Sequence, residues 1–229
     1  MRPLVSIVVP TLNEAATLPG LLAHLGGLTG RFELVVADGG STDATVALAR
    51  SHHVAPCVVE VVGGRAAQLN RGVAASCGEL LLFVHADSRL PPNAYRSLAA
   101  AWGDCQVVGG NFRLRFQGGD AFARALGAYY RLSRRLGIYY GDSSIFVRRE
   151  VFERLGGFRE LPIMDDYDLA RRLERAGRTV CLPGPALTSA RRWRRAGIGR
   201  TVGSWVLIQC LYWLGVPSER LARIYLRVR

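Results

Sequence analysis

The sequence predicts an α/β fold: a mostly parallel, doubly wound sheet with helices on both faces, followed by a C-terminal helical extension. The first observation is a continuous apolar run at residues 80–84, directly before His85-Ala86-Asp87, which is typical of a strand buried on both faces. The second is that strand-like and helix-like segments alternate through the first half, which indicates βα units with right-handed crossovers. A length of 229 residues with 49% hydrophobic content suffices for one large domain.

The first half of the chain contains four predicted strands and the helices between them. Leucines recur at helical spacing from Leu18 to Leu25, and Gly26-Gly27 ends that helix. Ser41-Thr42-Asp43 is a typical N-cap for the second helix, and the third helix is rich in alanine. The predicted strands are residues 4–10, 32–37, 58–62 and 80–84, and the predicted helices are residues 14–25, 44–51 and 65–76.

The second half has a less regular pattern. Pro91 is placed to start a helix, and the helix predicted at 165–176 has acidic residues in its first turn and arginines later, which suits the helix dipole. No low-complexity linker or internal repeat interrupts the chain, so we expect one domain over residues 1–196 and an extension over 197–229. The remaining predicted helices are 91–102, 120–136 and 149–155, and the remaining strands are 106–116 and 139–148.

The composition bounds the partners and the compartment. The formal net charge is +12, and arginine supplies all the positive charge because the sequence has no lysine. This excess fits either a solvated basic face or an anionic partner: a nucleoside diphosphate, a membrane surface or nucleic acid. Five widely spaced cysteines without a C-x-x-C pair predict free thiols in a reducing compartment such as the cytoplasm, most of them filling the core. No apolar stretch reaches the ~20 residues of a membrane-spanning helix.

A polar cluster follows each of the first four predicted strands. The carboxyl ends of parallel strands meet at one edge of a sheet, which is where ligands of such sheets bind. We therefore expect these clusters to lie together, although each alone also fits a tight turn, a helix cap or a surface arginine. The clusters are residues 10–14, residues 38–43, residues 63–65 with Gln68 and Asn70 on the following helix, and residues 85–87.

The order and spacing of these motifs resemble those of the family 2 glycosyltransferases, which have the GT-A fold. The resemblance covers roughly residues 4–180 and is greatest to small bacterial single-domain members. The matching segments are Pro10-Thr11-Leu12-Asn13-Glu14, Ala37-Asp38-Gly39-Gly40-Ser41-Thr42-Asp43, Arg65-Ala66-Ala67-Gln68-Leu69-Asn70-Arg71-Gly72, His85-Ala86-Asp87-Ser88, Gly156-Gly157-Phe158 and Asp165-Asp166-Tyr167-Asp168-Leu169.

The resemblance implies an inverting, metal-dependent transfer from a nucleoside diphosphate sugar to an acceptor hydroxyl. It implies that Asp87 holds a divalent cation, Mn²⁺ or Mg²⁺, and that Asp166 is the catalytic base. Apart from the resemblance, we assign the acceptor or the diphosphate to Asp142, Asp165, Arg192 and Trp193, although Asp142 also fits a turn cap and residues 191–195 also fit a solvated basic loop. The donor is assigned to Pro10, Thr11, Asn13, Glu14, Asp38, Gly39, Arg65, Gln68, His85 and Ala86.

The sequence departs from the family pattern at three positions. Gly39 stands where members often have a second acidic residue, which leaves the nucleotide open. His85 replaces the first aspartate of the D-x-D motif, and it either contacts the ribose or has a structural role. Ser189 stands where processive synthases have glutamine, which argues against synthesis of a long polymer.

Asp168 is expected to face solvent and to pair with an arginine on its own helix.

The C-terminal segment has two interpretations. Tryptophan and tyrosine beside an arginine-rich face are typical of a helix lying on a membrane surface, here the inner face, where a lipid-linked acceptor would be displayed. The other interpretation is a pair of helices packed on the domain or in a homodimer interface.

Two other function classes fit less well than transfer of a sugar. A nucleotidyltransferase would need a glycine-rich phosphate loop and a lysine after the first strand, and the chain has neither. A non-catalytic basic binding protein would leave Asp38, Asp87 and Asp166 without a role. We therefore do not expect nucleic acid to be the partner.

Overall fold

The strands form a single seven-stranded sheet in the order β3-β2-β1-β4-β6-β5-β7. The computed structural model describes residues 4–117, 120–188 and 197–228. The strands are β1 Val5–Thr11, β2 Phe32–Asp38, β3 Cys57–Glu60, β4 Leu80–Phe83, β5 Val107–Phe116, β6 Ile145–Arg148 and β7 Arg178–Thr188. The helices are α1 Leu18–Gly26, α2 Thr45–Ser51, α3 Arg65–Ala74, α4 Ala94–Gly103, α5 Ala121–Arg135, α6 Arg149–Arg154, α7 Asp165–Ala176, α8 Ile198–Trp213 and α9 Ser218–Val228, with a 3-10 turn at Gly141–Ser143.

The direction of the strands brings the ends of β1 and β2 together. β1 pairs in parallel with both β2 and β4, and β2 pairs in parallel with β3. Thr11 is thereby aligned with Asp38, and Asp38 with Glu60. β6 runs antiparallel between β4 and β5, so the sheet is mostly parallel.

The sheet is covered on both faces, as the apolar runs predicted. Ile7 and Val9 belong to one apolar cluster while Val8 belongs to another, and alternate side chains of a strand point to opposite faces. The first cluster contains the leucines of α1 and residues of α4, and the second contains residues of α3, α6 and α7. A third, smaller cluster joins β5 to α5, and Trp205 of α8 packs against it.

The predicted elements agree with the structure to within a few residues, with two exceptions. β7 was not predicted, because Pro183-Gly184-Pro185 interrupts its pattern. The strand tolerates this interruption because it lies at the edge of the sheet, and its register with β5 shifts between Phe112 and Arg113. The segment predicted as one strand at 139–148 instead divides into the 3-10 turn and β6.

The expectation that most cysteines fill the core was wrong, because all five are free and exposed. Cys57 opens β3 and Cys181 lies on β7, and these are the two edge strands of the sheet. In the described parts of the chain, no helix is long and apolar enough to cross a membrane. The boundary at residue 196 stays a prediction.

Candidate active site

The turn after β2 is built on a buried, charged Asp38. Its side chain has no exposed surface. Its Oδ1 accepts the N–H groups of Gly40 and Ser41 at 2.9 and 2.7 Å. Its Oδ2 accepts the hydroxyls of Thr11 and Ser41 at 2.9 and 2.6 Å. Burial alone would raise the pKa of Asp38, but these hydrogen bonds hold the pKa below its usual value. Asp38 therefore holds the ends of β1 and β2 together.

The loop after β1 is fixed to the same turn. Asn13 has a left-handed backbone with φ 55°, its N–H donates to the Ser41 hydroxyl, and its Oδ1 accepts the N–H of Thr42. The Glu14 N–H donates to the Thr45 hydroxyl at 2.8 Å, which ties the loop to α2. The predicted donor residues that follow β1 and β2 are thus one hydrogen-bonded unit.

Gln68 of α3 explains why position 39 is glycine. Its side-chain amide donates to the Thr11 carbonyl at 3.0 Å. A Cβ atom on Gly39 would lie 1.8 Å from the Gln68 Nε2 atom. The acidic residue that family members often have at this position does not fit while Gln68 occupies that space.

A second cluster is centred on Arg65, the first residue of α3. Its guanidinium contacts Asp165 through Nη2–Oδ1 at 2.6 Å and Nε–Oδ2 at 3.2 Å. Its Nη2 lies 3.3 Å from Asp166 Oδ2, and its Nη1 lies 2.8 Å from His85 Nε2. The arginine after β3, the histidine after β4 and the acidic pair of α7 therefore meet at one place. An isolated surface arginine, the alternative for this position, is excluded.

The two adjacent carboxylates of α7 differ in their environment. The Asp165 side chain is 5% exposed and the Asp166 side chain 16%. Burial raises the pKa of Asp165, even though the carboxylate is paired with Arg65. For Asp166 burial also acts to raise the pKa, but Arg65 and the Gly141 N–H outweigh it and hold the pKa below its usual value. Asp166 is therefore the carboxylate of the pair that stays ionised as the pH falls.

The 3-10 turn closes this cluster from the side of β6. The Gly141 N–H donates to Asp166 Oδ2 at 2.7 Å, and Asp142 Oδ1 lies 3.3 Å from His85 Nδ1. Because a guanidinium can only donate, His85 Nε2 accepts from Arg65, and we infer that its proton is on Nδ1, toward Asp142. A Cβ atom on Gly141 would lie 2.9 Å from Asp166 Oδ2 and from His85 Nε2, so the turn approaches too closely for a side chain.

Backbone strain is concentrated around these clusters. Four non-glycine residues in the described ranges have a positive φ, and three of them adjoin the site. These are Asn13, Ser144 at the end of the 3-10 turn and Met164 directly before Asp165. Such conformations cost ~1–3 kcal/mol each and recur at functional sites.

The residues after β4 suit a cation whose coordination shell would be completed by substrate phosphates. Asp87 and Ala86 lie in the turn that follows His85, and Asp87 is half-buried. Within the described ranges, no three or more His, Cys, Asp or Glu side chains gather as a metal site. Mg²⁺ and similar cations are often held by one or two carboxylates together with substrate phosphates, so a single protein carboxylate fits this chemistry.

One expectation from the sequence is corrected, and two predicted site residues cannot be placed. Asp168 does not face solvent: it is buried and lies 2.7 Å from Arg172 Nε and 3.1 Å from Arg159 Nη1, so it ties α7 to the preceding loop. Its predicted pairing with an arginine of its own helix is confirmed. Arg192 and Trp193 lie outside the described residues.

The sequence patterns did not predict a group of aromatic residues beside the acidic pair. Tyr140 stacks on Tyr167, with ring centroids 5.4 Å apart. The Tyr140 hydroxyl donates to Gln209 Oε1 of α8, and Trp213 Nε1 donates to the Tyr167 hydroxyl at 3.1 Å. Tyr140 directly precedes Gly141 and Tyr167 directly follows Asp166, which is the one signal that could have identified them.

The comparisons with known proteins agree on one family. The model of the family described as glycosyl transferase family 2 matches residues 6–156. A PGL/p-HBAD biosynthesis glycosyltransferase of Mycobacterium bovis is 33% identical over 203 residues, which cover 82% of this chain and 73% of that protein. A beta-monoglucosyldiacylglycerol synthase of Synechocystis is 29% identical over 75% of this chain and 40% of that protein.

Solved structures show the same fold. A mannosyltransferase of Pyrobaculum calidifontis, PcManGT, solved in complex with GDP-Man and Mn²⁺, has a TM-score of 0.67 and 22% identity, over 100% of this chain and 74% of that chain. S. aureus TarS in complex with UDP has a TM-score of 0.67 and 18% identity, over 82% of this chain and 60% of that chain. The predicted GT-A fold is confirmed.

Proposed function

The chain belongs to glycosyl transferase family 2, and from that premise we propose an inverting, metal-dependent transfer of a sugar from a nucleoside diphosphate sugar to an acceptor hydroxyl. The observation that carries the proposal is the convergence of Arg65, His85 and the acidic pair Asp165-Asp166 at the carboxyl edge of the sheet. A basic group for a diphosphate and an ionised carboxylate for an acceptor proton are the two groups that this reaction requires.

Asp166 acts as the base through its Oδ1 atom. Oδ2 already has two contacts, with the Gly141 N–H and with Arg65. Among the described residues, Oδ1 is given one hydrogen bond, from the N–H of Tyr167. Oδ1 takes the proton of the acceptor hydroxyl as the acceptor oxygen bonds to the anomeric carbon. The bond from that carbon to the phosphate oxygen breaks, and its electron pair leaves with the diphosphate.

The charge around Arg65 supports a requirement for a cation. One guanidinium faces Asp165 and Asp166, and two further carboxyl groups, Asp87 and Asp142, lie in the adjoining loop and turn. A diphosphate entering this acidic surrounding would be repelled without a countercharge. Asp87 is the residue that we propose holds a divalent cation, and bound Mn²⁺ or Mg²⁺ would stabilise the charge of the leaving diphosphate.

The donor lies along the unit formed by the loops after β1 and β2 and the start of α3. The glycine at position 39 does not identify which nucleotide the donor contains. Solved structures of the same fold carry UDP or GDP-Man. We assign the donor surface to Pro10, Thr11, Asn13, Glu14, Gly39, Arg65, Gln68, His85 and Ala86, with Asp38 holding the unit together through its four hydrogen bonds.

The acceptor approaches from the side of the 3-10 turn, where Asp142 and Asp165 adjoin the base. We propose a lipid-linked acceptor at the inner face of a membrane. A relative whose name describes a glucosyldiacylglycerol product supports a lipid acceptor, and the five free thiols fit a reducing cytoplasm.

A thermal-shift screen tests the donor and the metal together. We expect the unfolding temperature to rise with one nucleoside diphosphate or its sugar only when Mn²⁺ or Mg²⁺ is present, and Asp87→Ala to abolish that rise. The matched control is Asp104→Ala, a half-buried aspartate whose partner is Arg178 on the edge strand β7. A metal-independent shift, or one that survives in Asp87→Ala, would contradict the metal assignment.

Turnover tests the base. With UDP-sugars and GDP-sugars as donors, Asp166→Asn should lower the release of nucleoside diphosphate by about 10²–10⁴-fold and leave donor binding nearly unchanged. Glu160→Gln removes an exposed charge a few residues away and should keep full activity. A fully active Asp166→Asn enzyme would exclude Asp166 as the base.

A further inference from the structure

Two neighbouring helices carry most of the exposed apolar surface. Among the described residues, ten large hydrophobic side chains are exposed, and eight of them lie on α5, on α8 or at the residue that ends each helix. Leu132 is 59% exposed, Val206 56% and Trp213 59%. Concentrations of this kind on a monomer mark a contact surface. The docking face is defined here by Tyr129, Leu132, Leu136, Val206, Leu207 and Trp213.

The spacing of these residues places most of them along one side of each helix, which forms its apolar stripe. Tyr129, Leu132 and Leu136 recur at i, i+3 and i+7 on α5, and Val206 and Trp213 are separated by two turns on α8. The stripes adjoin because Trp205, next to Val206, packs against the cluster that contains Leu126 of α5.

The charged residues of the two segments that carry the docking face have one sign. Residues 121–141 and 197–216 contain arginines but no aspartate or glutamate. Arg131 and Arg135 are exposed on α5 between the apolar residues, and Arg200 is exposed at the start of α8. Apolar side chains with Trp and Tyr, on segments whose charged residues are all arginines, are what an anionic lipid surface attracts.

A second copy of the chain fits this face less well. In a two-fold symmetric dimer the same surface patch meets itself. Arg131 and Arg135 would then approach equivalent arginines with no carboxylate from either segment to pair with them. The one-sided charge therefore favours lipid headgroups over self-association.

Two residues of α8, one of them the docking-face residue Trp213, contact tyrosines that adjoin the acidic cluster. Gln209 accepts the Tyr140 hydroxyl, and Trp213 donates to the Tyr167 hydroxyl. Tyr140 and Tyr167 are the direct chain neighbours of Gly141 and Asp166. A bilayer held against the docking face would thus lie near the residues that flank the proposed base.

We propose that the docking face of α5 and α8 binds the surface of a bilayer that contains anionic phospholipids. Its apolar side chains enter the headgroup boundary, and its arginines contact the phosphates. The binding extends the proposed transfer by presenting a lipid-linked acceptor to Asp166, but it uses neither the donor nor the metal.

Co-sedimentation of the full chain with vesicles tests the proposal. We expect binding to vesicles of phosphatidylcholine and phosphatidylglycerol in equal parts and much weaker binding to pure phosphatidylcholine at 0.1 M salt. Leu132→Glu with Val206→Glu should lower the partition coefficient at least about tenfold. Arg131→Gln with Arg135→Gln should lower it on anionic vesicles by about fivefold per arginine.

Matched controls distinguish an effect of the docking face from an effect of lower net charge and from an effect of placing a charge at any exposed apolar position. Arg154→Gln with Arg175→Gln removes the same charge from exposed positions of α6 and α7, and Val62→Glu changes a side chain that is 98% exposed elsewhere. Both should change partitioning less than about twofold, because long-range charge is screened at 0.1 M salt. Urea midpoints of all variants confirm that they are folded.

Three results would overturn the proposal. The first is no sedimentation of the wild type with anionic vesicles, and the second is an equal loss in the control pair of arginines. The third is a dimer, measured by light scattering, that Leu132→Glu with Val206→Glu converts to a monomer while vesicle binding is absent. The vesicle assay contains no donor, so its failure and failure of the proposed transfer are separate observations.

Discussion

Asp38 and Asp166 are both ionised carboxylates at the same edge of the sheet, yet their surroundings suit different tasks. Asp38 is fully buried, and four donors fill the acceptor positions of its two oxygens. Asp166 is partly exposed, and two of its contacts fall on Oδ2. A carboxylate that must take a proton needs an accessible oxygen, so Asp166 is suited to chemistry and Asp38 to holding the turn.

Replacing Asp38 by asparagine should mainly destabilise the protein. The variant loses charge-assisted hydrogen bonds and turns one acceptor into a donor facing other donors, so the free energy of unfolding at pH 7 should fall by about 2–4 kcal/mol. Glu60→Gln, which breaks an exposed ion pair with Arg50, should cost less than about 1 kcal/mol. Urea unfolding measures both.

The pH dependence of that difference has a definite sign. The folded-state pKa of Asp38 is depressed below the unfolded value of about 3.9, so its stabilisation is fully present above that value and is lost as the pH falls through the folded pKa. The gap between wild type and Asp38→Asn should therefore be constant from pH 8 to pH 5 and narrow below pH 4. A gap that widened on acidification would contradict a charged Asp38.

Gly141→Ala tests the closeness of the 3-10 turn to the cluster. The added Cβ would lie 2.9 Å from Asp166 Oδ2 and 3.1 Å from Arg65 Nη1, so the side chains around the proposed base must shift. A misplacement of about 1 Å at a catalytic group lowers turnover by about 10²-fold. We expect a loss of this size in nucleoside diphosphate release, with an unfolding midpoint close to that of the wild type.

The control for Gly141 is a glycine with open space around it. Gly199 in α8 has no atom within 4 Å of a built Cβ. Alanine is favoured over glycine in a helix by about 1 kcal/mol, so Gly199→Ala should be neutral or stabilising and fully active. Equal losses in both variants would show that the effect of position 141 is not specific to the site.

At the scale of elements, a hydrogen bond between Tyr140 and Gln209 helps to join α8 to the site. Burial raises the pKa of Tyr140, so its hydroxyl stays protonated and donates to Gln209 Oε1. The Gln209 Nε2 atom is buried without a partner among the described residues. This hydrogen bond connects the extension to the residue that precedes Gly141.

A double-mutant cycle measures that connection. Gln209→Leu leaves the Tyr140 hydroxyl unsatisfied and should cost about 1–3 kcal/mol, whereas the pair Gln209→Leu with Tyr140→Phe removes both partners and should cost much less than the sum of the single changes. A coupling energy of about 1 kcal/mol is expected from urea unfolding. Strictly additive effects would show that the two groups do not interact in solution.

Local patterns predicted most elements, and pairing between distant segments explains what they missed. Local sequence predicts the apolar runs of β1, β2 and β4 and the acidic first turn of α7, because burial and capping act over a few residues. β7 was missed because its pairing with β5, not its Pro-Gly-Pro sequence, makes it a strand. The split at 139–148 was missed because the fold of the 3-10 turn depends on the charged cluster it closes.

The site was predicted only in part, because local patterns do not show contacts between distant segments. Motif order placed Asp38, Arg65 and Asp166 at one edge of the sheet. It did not reveal that Arg65 and Asp165, 100 residues apart, form a bidentate ion pair. Nor did it show that His85 accepts from Arg65 and contacts Asp142, or that Gly141 holds Asp166. These contacts are set by the packing of α3, α7 and the 3-10 turn on the sheet.

The whole molecule carries a formal net charge of +12, and its distribution separates two kinds of binding. Diffuse positive charge attracts any polyanion and is weakened by salt, whereas groups fixed within a partly buried cluster are screened much less. The arginine-rich surface belongs to the first kind and the Arg65 cluster to the second. Competition between a polyanion and a nucleotide therefore tests which of them binds specifically at the Arg65 cluster.

Binding to a random 20-base-pair duplex should be salt-sensitive and independent of the site. Counterion release predicts that its affinity, measured by fluorescence anisotropy, falls by about 10³-fold between 50 and 200 mM NaCl. The cation-dependent thermal shift with nucleoside diphosphate should persist at 200 mM NaCl. Asp87→Ala should remove this shift and leave duplex binding unchanged. Duplex binding that persists at 200 mM NaCl and displaces the nucleotide would favour a nucleic-acid partner, because only a specific site resists salt and competes for the same residues.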